Sequence, residues 1–178
     1  MLAFFQSQAS SVRLFGALQF GAAVPLGIFT ATMVSRLRFL GIRAAGANIA
    51  LFGGFGAAFS MTAAGSVIYV MGGSAVTQNP VLIQSLYDLA FALGGPGFTV
   101  PFGLLMAGVS VTAGFGKLLP RWIVVLGLVL AVAGELSWLA MIFPRALFLL
   151  PLARFPGFVW LIAAGLALPN SVHSRERS

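Results

Sequence analysis

Apolar runs about as long as a bilayer is thick dominate this chain of 178 residues. A helix that crosses the hydrocarbon core needs about 20 largely apolar residues. Basic residues, glycine and proline divide the chain into five segments of this kind, which predicts an all-α polytopic transmembrane bundle with about five spans. The predicted spans are 14–34, 44–71, 81–115, 122–143 and 155–168, the last being short unless it begins near Leu147.

Composition supports the same fold class, because 60% of the residues are hydrophobic and 7% are charged. A soluble domain carries roughly 25% charged residues, and so few charges could not cover the surface of a soluble fold of this size. A bilayer removes that problem, since lipid is then the solvent for most of the chain. We predict one transmembrane domain at 1–170 and a polar tail at 171–178.

The formal net charge of +7 comes from 10 basic and 3 acidic residues. The basic residues lie between apolar runs, where they meet lipid phosphates and set orientation. We therefore expect the lipid bilayer as a partner, and no nucleic acid. Seven basic residues fall on the side of loops one and three and the tail, against three on the other side. This count favours an outside N-terminus and an inside C-terminus.

The sequence contains no cysteine, and its one histidine, His173, lies in the polar tail. These counts exclude disulfides and thiolate metal sites and disfavour a histidine triad. We expect no catalytic residues, no metal, no cofactor and no enzymatic activity. A membrane enzyme acting on lipid would need paired carboxylates, histidines or a serine–base pair. It is the weakest alternative, because Asp88 and Glu135 are isolated from each other.

Glu135 and Asp88 are the two candidate residues for an intramembrane polar site. Glu135 lies near the middle of the fourth predicted span, where a charge costs about 2.5–3.5 kcal/mol on insertion scales. It could relay protons, bind a cation, or stay neutral and hydrogen-bond a neighbouring helix. Asp88 is expected to be solvated or to pair with Arg145 or Arg154. For both acids we favour the structural role.

The third predicted span is interrupted by Gly94, Gly95, Pro96 and Gly97. Glycine and proline are costly inside helices, so we predict helices at 81–93 and 98–115 with a break between them. Interrupted membrane helices are used at transporter binding sites, and they also occur as plain kinks. The polar residues that could join a site at this break are Gln19, Asn48, Thr99 and Ser110.

A stripe of small residues runs along the second predicted span: Gly46, Ala50, Gly54 and Ala58. Stripes of this kind let membrane helices approach closely. Packing inside one protomer is the favoured interpretation, and homodimerisation is the alternative. A separate ridge of aromatic side chains is formed by Phe52, Phe55 and Phe59.

Four stretches carry a family resemblance: RFLGIRAAG at 38–46, FALGGPGFTVPFGLL at 91–105, LLPRWIVVLG at 118–127 and RFPGFVWLIAAGLALP at 154–169. Together they resemble a group of uncharacterised bacterial multi-pass membrane proteins, classed as a domain of unknown function. The resemblance covers most of the chain and implies a bacterial inner-membrane location. It carries no catalytic motif, and it allows a sixth span.

The leading functional hypothesis is a non-enzymatic membrane protein with a structural, accessory or regulatory role. Its expected partners are a second copy of the chain or another membrane protein. The alternative is a small transporter or channel component that uses Glu135 and the break at Gly94 to Gly97.

Overall fold

The computed structural model describes residues 2–169, and none of these residues lies in a β-strand. Two 3₁₀ turns, Ser137–Met141 and Pro144–Phe148, connect the last two helices. The eight α-helices are α1 Leu2–Ser7, α2 Ala9–Phe39, α3 Ala45–Met71, α4 Ser74–Thr77, α5 Pro80–Gly94, α6 Pro96–Phe115, α7 Arg121–Leu136 and α8 Leu149–Ala167.

Five helical stretches within residues 2–169 are long and apolar enough to cross a membrane. They are Ala9–Phe39, Ala45–Met71, Pro80–Phe115, Arg121–Met141 and Pro144–Ala167. The predicted all-helical membrane bundle with five spans is therefore confirmed. The predicted tail at 171–178, with His173, lies outside the described residues.

The fifth span does not start at Phe155 but follows the predicted alternative of a start near Leu147, because α8 begins at Leu149. Pro151 falls in the first turn of α8, where backbone N–H groups have no intrahelical acceptor, so a proline there costs no hydrogen bond. Pro156 lies farther inside α8, as membrane helices allow. As a result, Arg154 lies within a membrane-spanning helix and not in the loop before it.

The helices pack in the order α2, α3, α6, α7, α8, and α6 also contacts α8. Five large hydrophobic side chains of α6 are fully buried: Phe98, Phe102, Leu105, Met106 and Val109. The predicted aromatic ridge of α3 faces outward, with Phe52 70% exposed and Phe59 73% exposed. The centre of the bundle is therefore α6, and the ridge faces the lipid.

The small-residue stripe of α3 packs against two helices. Gly46 and Ala50 pack against Gly108 of α6, and a Cβ added to Gly108 would lie 2.6 Å from the Ala50 nitrogen. Gly54 packs against Thr30 of α2. Ala58 is half-buried against the core. Residues four apart on a helix of 3.6 residues per turn are displaced by about 40° at each step. The stripe therefore turns from α6 toward α2 in the direction of the carboxyl end of α3.

One end of the bundle is closed by Arg36, which donates to the carbonyl oxygens of Gly165 (3.0 Å) and Leu168. These bonds tie the end of α2 to the end of α8, where a cation interacts favourably with the free helical carbonyls. Nearby, Arg38 donates to Asn48 at 2.7 Å. Residues of α2 and α8 also line opposite parts of a cavity farther along the bundle.

Candidate functional site

The third span changes direction at a single residue, Gly95, which separates α5 from α6 and has φ −90° and ψ −105°. An added Cβ on Gly95 would lie 2.7 Å from the carbonyl oxygen of Phe91, too close for any other residue without a shift. The first turn of α6 is held by Thr99, whose backbone N–H (2.9 Å) and Oγ1 (3.1 Å) both donate to the Gly95 oxygen. The break is therefore a defined turn that depends on glycine.

Arg154 caps the end of α5 from across the bundle. Its Nη1 donates to the carbonyl oxygen of Gly94 at 3.3 Å, and its guanidinium carbon lies 4.7 Å from the centroid of the Phe98 ring. The carbonyl end of a helix attracts cations. Gln19 of α2 also reaches this point, since its Nε2 lies 3.5 Å from the Cβ position of Gly94. Side chains of α2 and α8 therefore converge on the break.

Beside the break lies a cavity of about 660 Å³, which we call the break cavity. Its volume lies within the range of small-molecule sites, which is roughly 300–1,000 Å³. Its polar side chains are Ser11, Gln19, Tyr87, Thr99 and Arg154. Its walls are mainly aromatic and aliphatic, and include Phe4, Phe5, Phe15, Phe91 and Phe155. A mostly apolar wall with a few convergent polar groups is typical of a binding site.

Arg154 lies deep in the membrane-spanning part of α8. Eleven residues separate it from Gly165, whose carbonyl binds Arg36 at the basic end. At 1.5 Å per residue this separation is about 16 Å along the helix, roughly half of a hydrocarbon core of about 30 Å. Arg154 therefore lies near the middle of the candidate span Pro144–Ala167 and not at its ends.

Glu135 lies in the last turn of α7 and does not line the break cavity. Its Oε1 is buried against α6, 3.1 Å from the Cβ position of Gly103, and has no hydrogen-bond partner within residues 2–169. Two residues later, Ser137 donates to the Gly134 oxygen at 2.6 Å, and its Oγ lies 2.5 Å from Thr99 Oγ1. Thr99, which lines the cavity, therefore contacts Ser137, two residues after Glu135.

Asp88 is exposed on α5 and accepts a hydrogen bond from Gln84 Nε2 at 3.0 Å. Its predicted pairing with Arg145 or Arg154 is not found in the described part of the chain, because Arg154 turns instead to the carbonyl of Gly94. Asp88 and Glu135 both lie outside the cavity lining. Asp88 and Glu135 therefore do not meet in the break cavity.

The four polar residues considered for the break divide into two pairs. Gln19 and Thr99 reach it, whereas Asn48 binds Arg38 at the opposite end and Ser110 is buried beside Gly127. Sequence reasoning missed Arg154 as a site residue, because it placed this arginine in the connection before the fifth span and considered it only as a partner of Asp88. An isolated arginine inside a long apolar run was the signal that could have identified it.

Within residues 2–169, no group of three His, Cys, Asp or Glu side chains could hold a metal ion. Comparisons with protein-family models, curated proteins and solved structures each return no match, so the bacterial family resemblance stays a prediction.

Proposed function

We propose that this chain is a non-enzymatic membrane protein that holds a small, mainly apolar molecule in the break cavity and serves an accessory or regulatory role. The observation that carries the proposal is the cavity itself, with its aromatic walls and with the side chains of Arg154 and Gln19 both reaching Gly94. Cavities of this composition bury a ligand through apolar contact and orient it through a few polar groups.

The polar groups of the cavity support binding more than catalysis. The hydroxyl of Ser11 donates to Gln8 at 3.2 Å, and that of Thr99 donates to the Gly95 oxygen. A nucleophilic hydroxyl needs an adjacent base to take its proton, and in the described residues neither hydroxyl has one. We therefore assign the cavity a binding role.

We further propose that the protein lies in a bacterial inner membrane with its N-terminus outside. Support comes from the family resemblance and from the basic residues of loops one and three, which include Arg38, Arg43 and Arg121. Basic residues are enriched on the inner side. The break cavity then lies toward the outer leaflet, since Arg36 closes the opposite end of the bundle.

The binding role is tested by narrowing the cavity with Ser11→Trp, with Ser10→Trp as the matched control. Ser10 and Ser11 are both exposed, but only Ser11 lines the cavity. We expect native mass spectrometry of gently extracted protein to show a bound small molecule of defined mass on the parent and on Ser10→Trp. Its occupancy on Ser11→Trp should fall by about tenfold, equivalent to about 1.4 kcal/mol. A bare parent chain, or equal occupancy on both variants, would contradict the proposal.

A second candidate function, a small transporter or channel component, is favoured by Glu135. Its buried Oε1 has no partner among residues 2–169, and acids inside membrane spans commonly mark ion or proton pathways. The adjoining link from Ser137 to Thr99 leads from this acid toward the break. In this role Glu135 would exchange a proton or hold a cation while the break provides the path.

The transport role predicts that Glu135→Gln abolishes ion flux through the protein in proteoliposomes, because the amide cannot exchange a proton or carry a negative charge. Proton entry under an imposed potential is read from a pH-sensitive dye trapped inside the vesicles. Asp88→Asn is the matched control, since it removes one exposed negative charge. Flux that survives Glu135→Gln, or a parent protein that conducts no protons, would count against this candidate.

A further inference from the structure

The described lining of the break cavity includes one charged side chain, Arg154, and no carboxylate. The amino end of α6 also lies at the break, and the amino end of a helix carries partial positive charge. The negative carbonyl end of α5 is already engaged by Arg154. The charge complement of this cavity is therefore an anion.

The contacts of Arg154 leave most of its hydrogen-bonding capacity available to a ligand. A guanidinium has five N–H donors, and the described contacts of Arg154 are one bond of 3.3 Å to Gly94 and the face of the Phe98 ring. A charge at this depth in a bilayer is costly unless it is paired. A carboxylate can accept two parallel N–H bonds from one arginine, which gives both charge neutralisation and a fixed orientation.

The rest of the cavity suits a hydrocarbon chain. Phe91 supplies a half-buried aromatic wall, Leu150 and Met71 supply aliphatic walls, and Phe15 and Phe155 form an exposed aromatic rim. The volume of about 660 Å³ is typical of a site for one compact ligand. A single acyl chain matches this space better than the two chains of a bilayer phospholipid.

On the basis of the function proposed above, we propose that the break cavity binds a long-chain fatty acid. The carboxylate binds Arg154 beside the Gly94 carbonyl, with the Gln19 amide as a neighbouring donor. The acyl chain runs along the aromatic walls, where its burial supplies most of the binding free energy.

The test compares palmitate with hexadecanol, which has the same chain and no charge. Purified protein in a neutral detergent is incubated with each probe at equal concentration, and occupancy is read by native mass spectrometry. We expect the parent to prefer palmitate by about tenfold or more, as hydrogen bonds to a charged group provide. Arg154→Gln should lose this preference but keep hexadecanol, whereas Arg154→Lys should keep part of it. Arg145→Gln, which removes an exposed arginine, should bind like the parent.

Equal occupancy by palmitate and hexadecanol on the parent would overturn the fatty-acid assignment while leaving the binding role intact. A preference for dipalmitoyl phosphatidate over palmitate would overturn it in favour of a two-chain lipid. Equal loss of palmitate in Arg154→Gln and Arg145→Gln would show that net charge and not this site is responsible. If Arg154→Gln does not fold, the preference of the parent and of Arg154→Lys for palmitate over hexadecanol decides whether the fatty-acid assignment holds. Failure of the proposed function itself would appear separately, as a parent with no bound molecule of any kind.

Discussion

Replacing Gly53 with leucine is expected to prevent α3 from packing against α6 and to leave most of the protein unfolded or aggregated. An added Cβ on Gly53 would lie 2.5 Å from the Leu105 nitrogen and 2.5 Å from the Pro101 oxygen. Both atoms belong to the backbone of α6, so no side chain can rotate away to make room. We expect the free energy of unfolding to fall by at least about 3 kcal/mol, which is at the upper end of the effects of overpacking.

The matched control is Gly21→Leu, because an added Cβ on Gly21 meets no atom within 4 Å. The two variants make the same substitution in spanning helices, so only the environment of the new side chain differs. Size-exclusion chromatography in mild detergent and thermal unfolding should show Gly21→Leu behaving like the parent. A Gly53→Leu protein that elutes and melts like Gly21→Leu would show that α3 and α6 do not approach as described.

Trp160→Ala is expected to destabilise the protein by about 3–5 kcal/mol, the usual cost of removing a large buried aromatic side chain. Trp160 is fully buried, and its Nε1–H donates to the carbonyl oxygen of Ile123 at 2.8 Å. The variant loses the packing between α8 and α7 and leaves the Ile123 oxygen without this donor. In lipid such a lost bond is not replaced by water.

Trp122→Ala serves as the control, since Trp122 is 62% exposed near the start of α7. Unfolding by a denaturing detergent, followed by far-ultraviolet circular dichroism, compares the two variants with the parent. We expect the Trp122→Ala transition to lie close to that of the parent and the Trp160→Ala transition to shift strongly. Equal shifts in the two variants would contradict the buried position of Trp160.

These two contacts decide whether the candidate site exists. Gly53 brings α6 against α3, which positions the start of α6 and the adjoining Gly94, the residue that Gln19 of α2 reaches. Trp160 holds α8 against α7, and the same helix carries Arg154, which reaches the Gly94 carbonyl. Loss of either contact should therefore also abolish occupancy of the break cavity.

Much of the architecture was predictable from the sequence, because its causes are local. Apolar length determines which segments can cross a bilayer, and five such segments were correctly identified. A break within Gly94 to Gly97 was predictable for the same reason, since proline removes a donor and glycine permits a turn. The structure narrows it to Gly95, because α5 continues through Gly94 and α6 begins at Pro96. In the fifth span the local signals conflicted: prolines suggested a loop where α8 continues through Arg154.

The partners of the polar side chains were decided by the tertiary structure alone. Helix rotation sends Arg154 to the Gly94 carbonyl and leaves the Glu135 oxygen against Gly103, although both residues lie in similarly apolar sequence. In water, hydrophobicity separates inner from outer faces, but in lipid both faces are apolar and the pattern loses that information. The sequence therefore determined which segments span the membrane, and close packing of backbones at small residues decided which side chains meet.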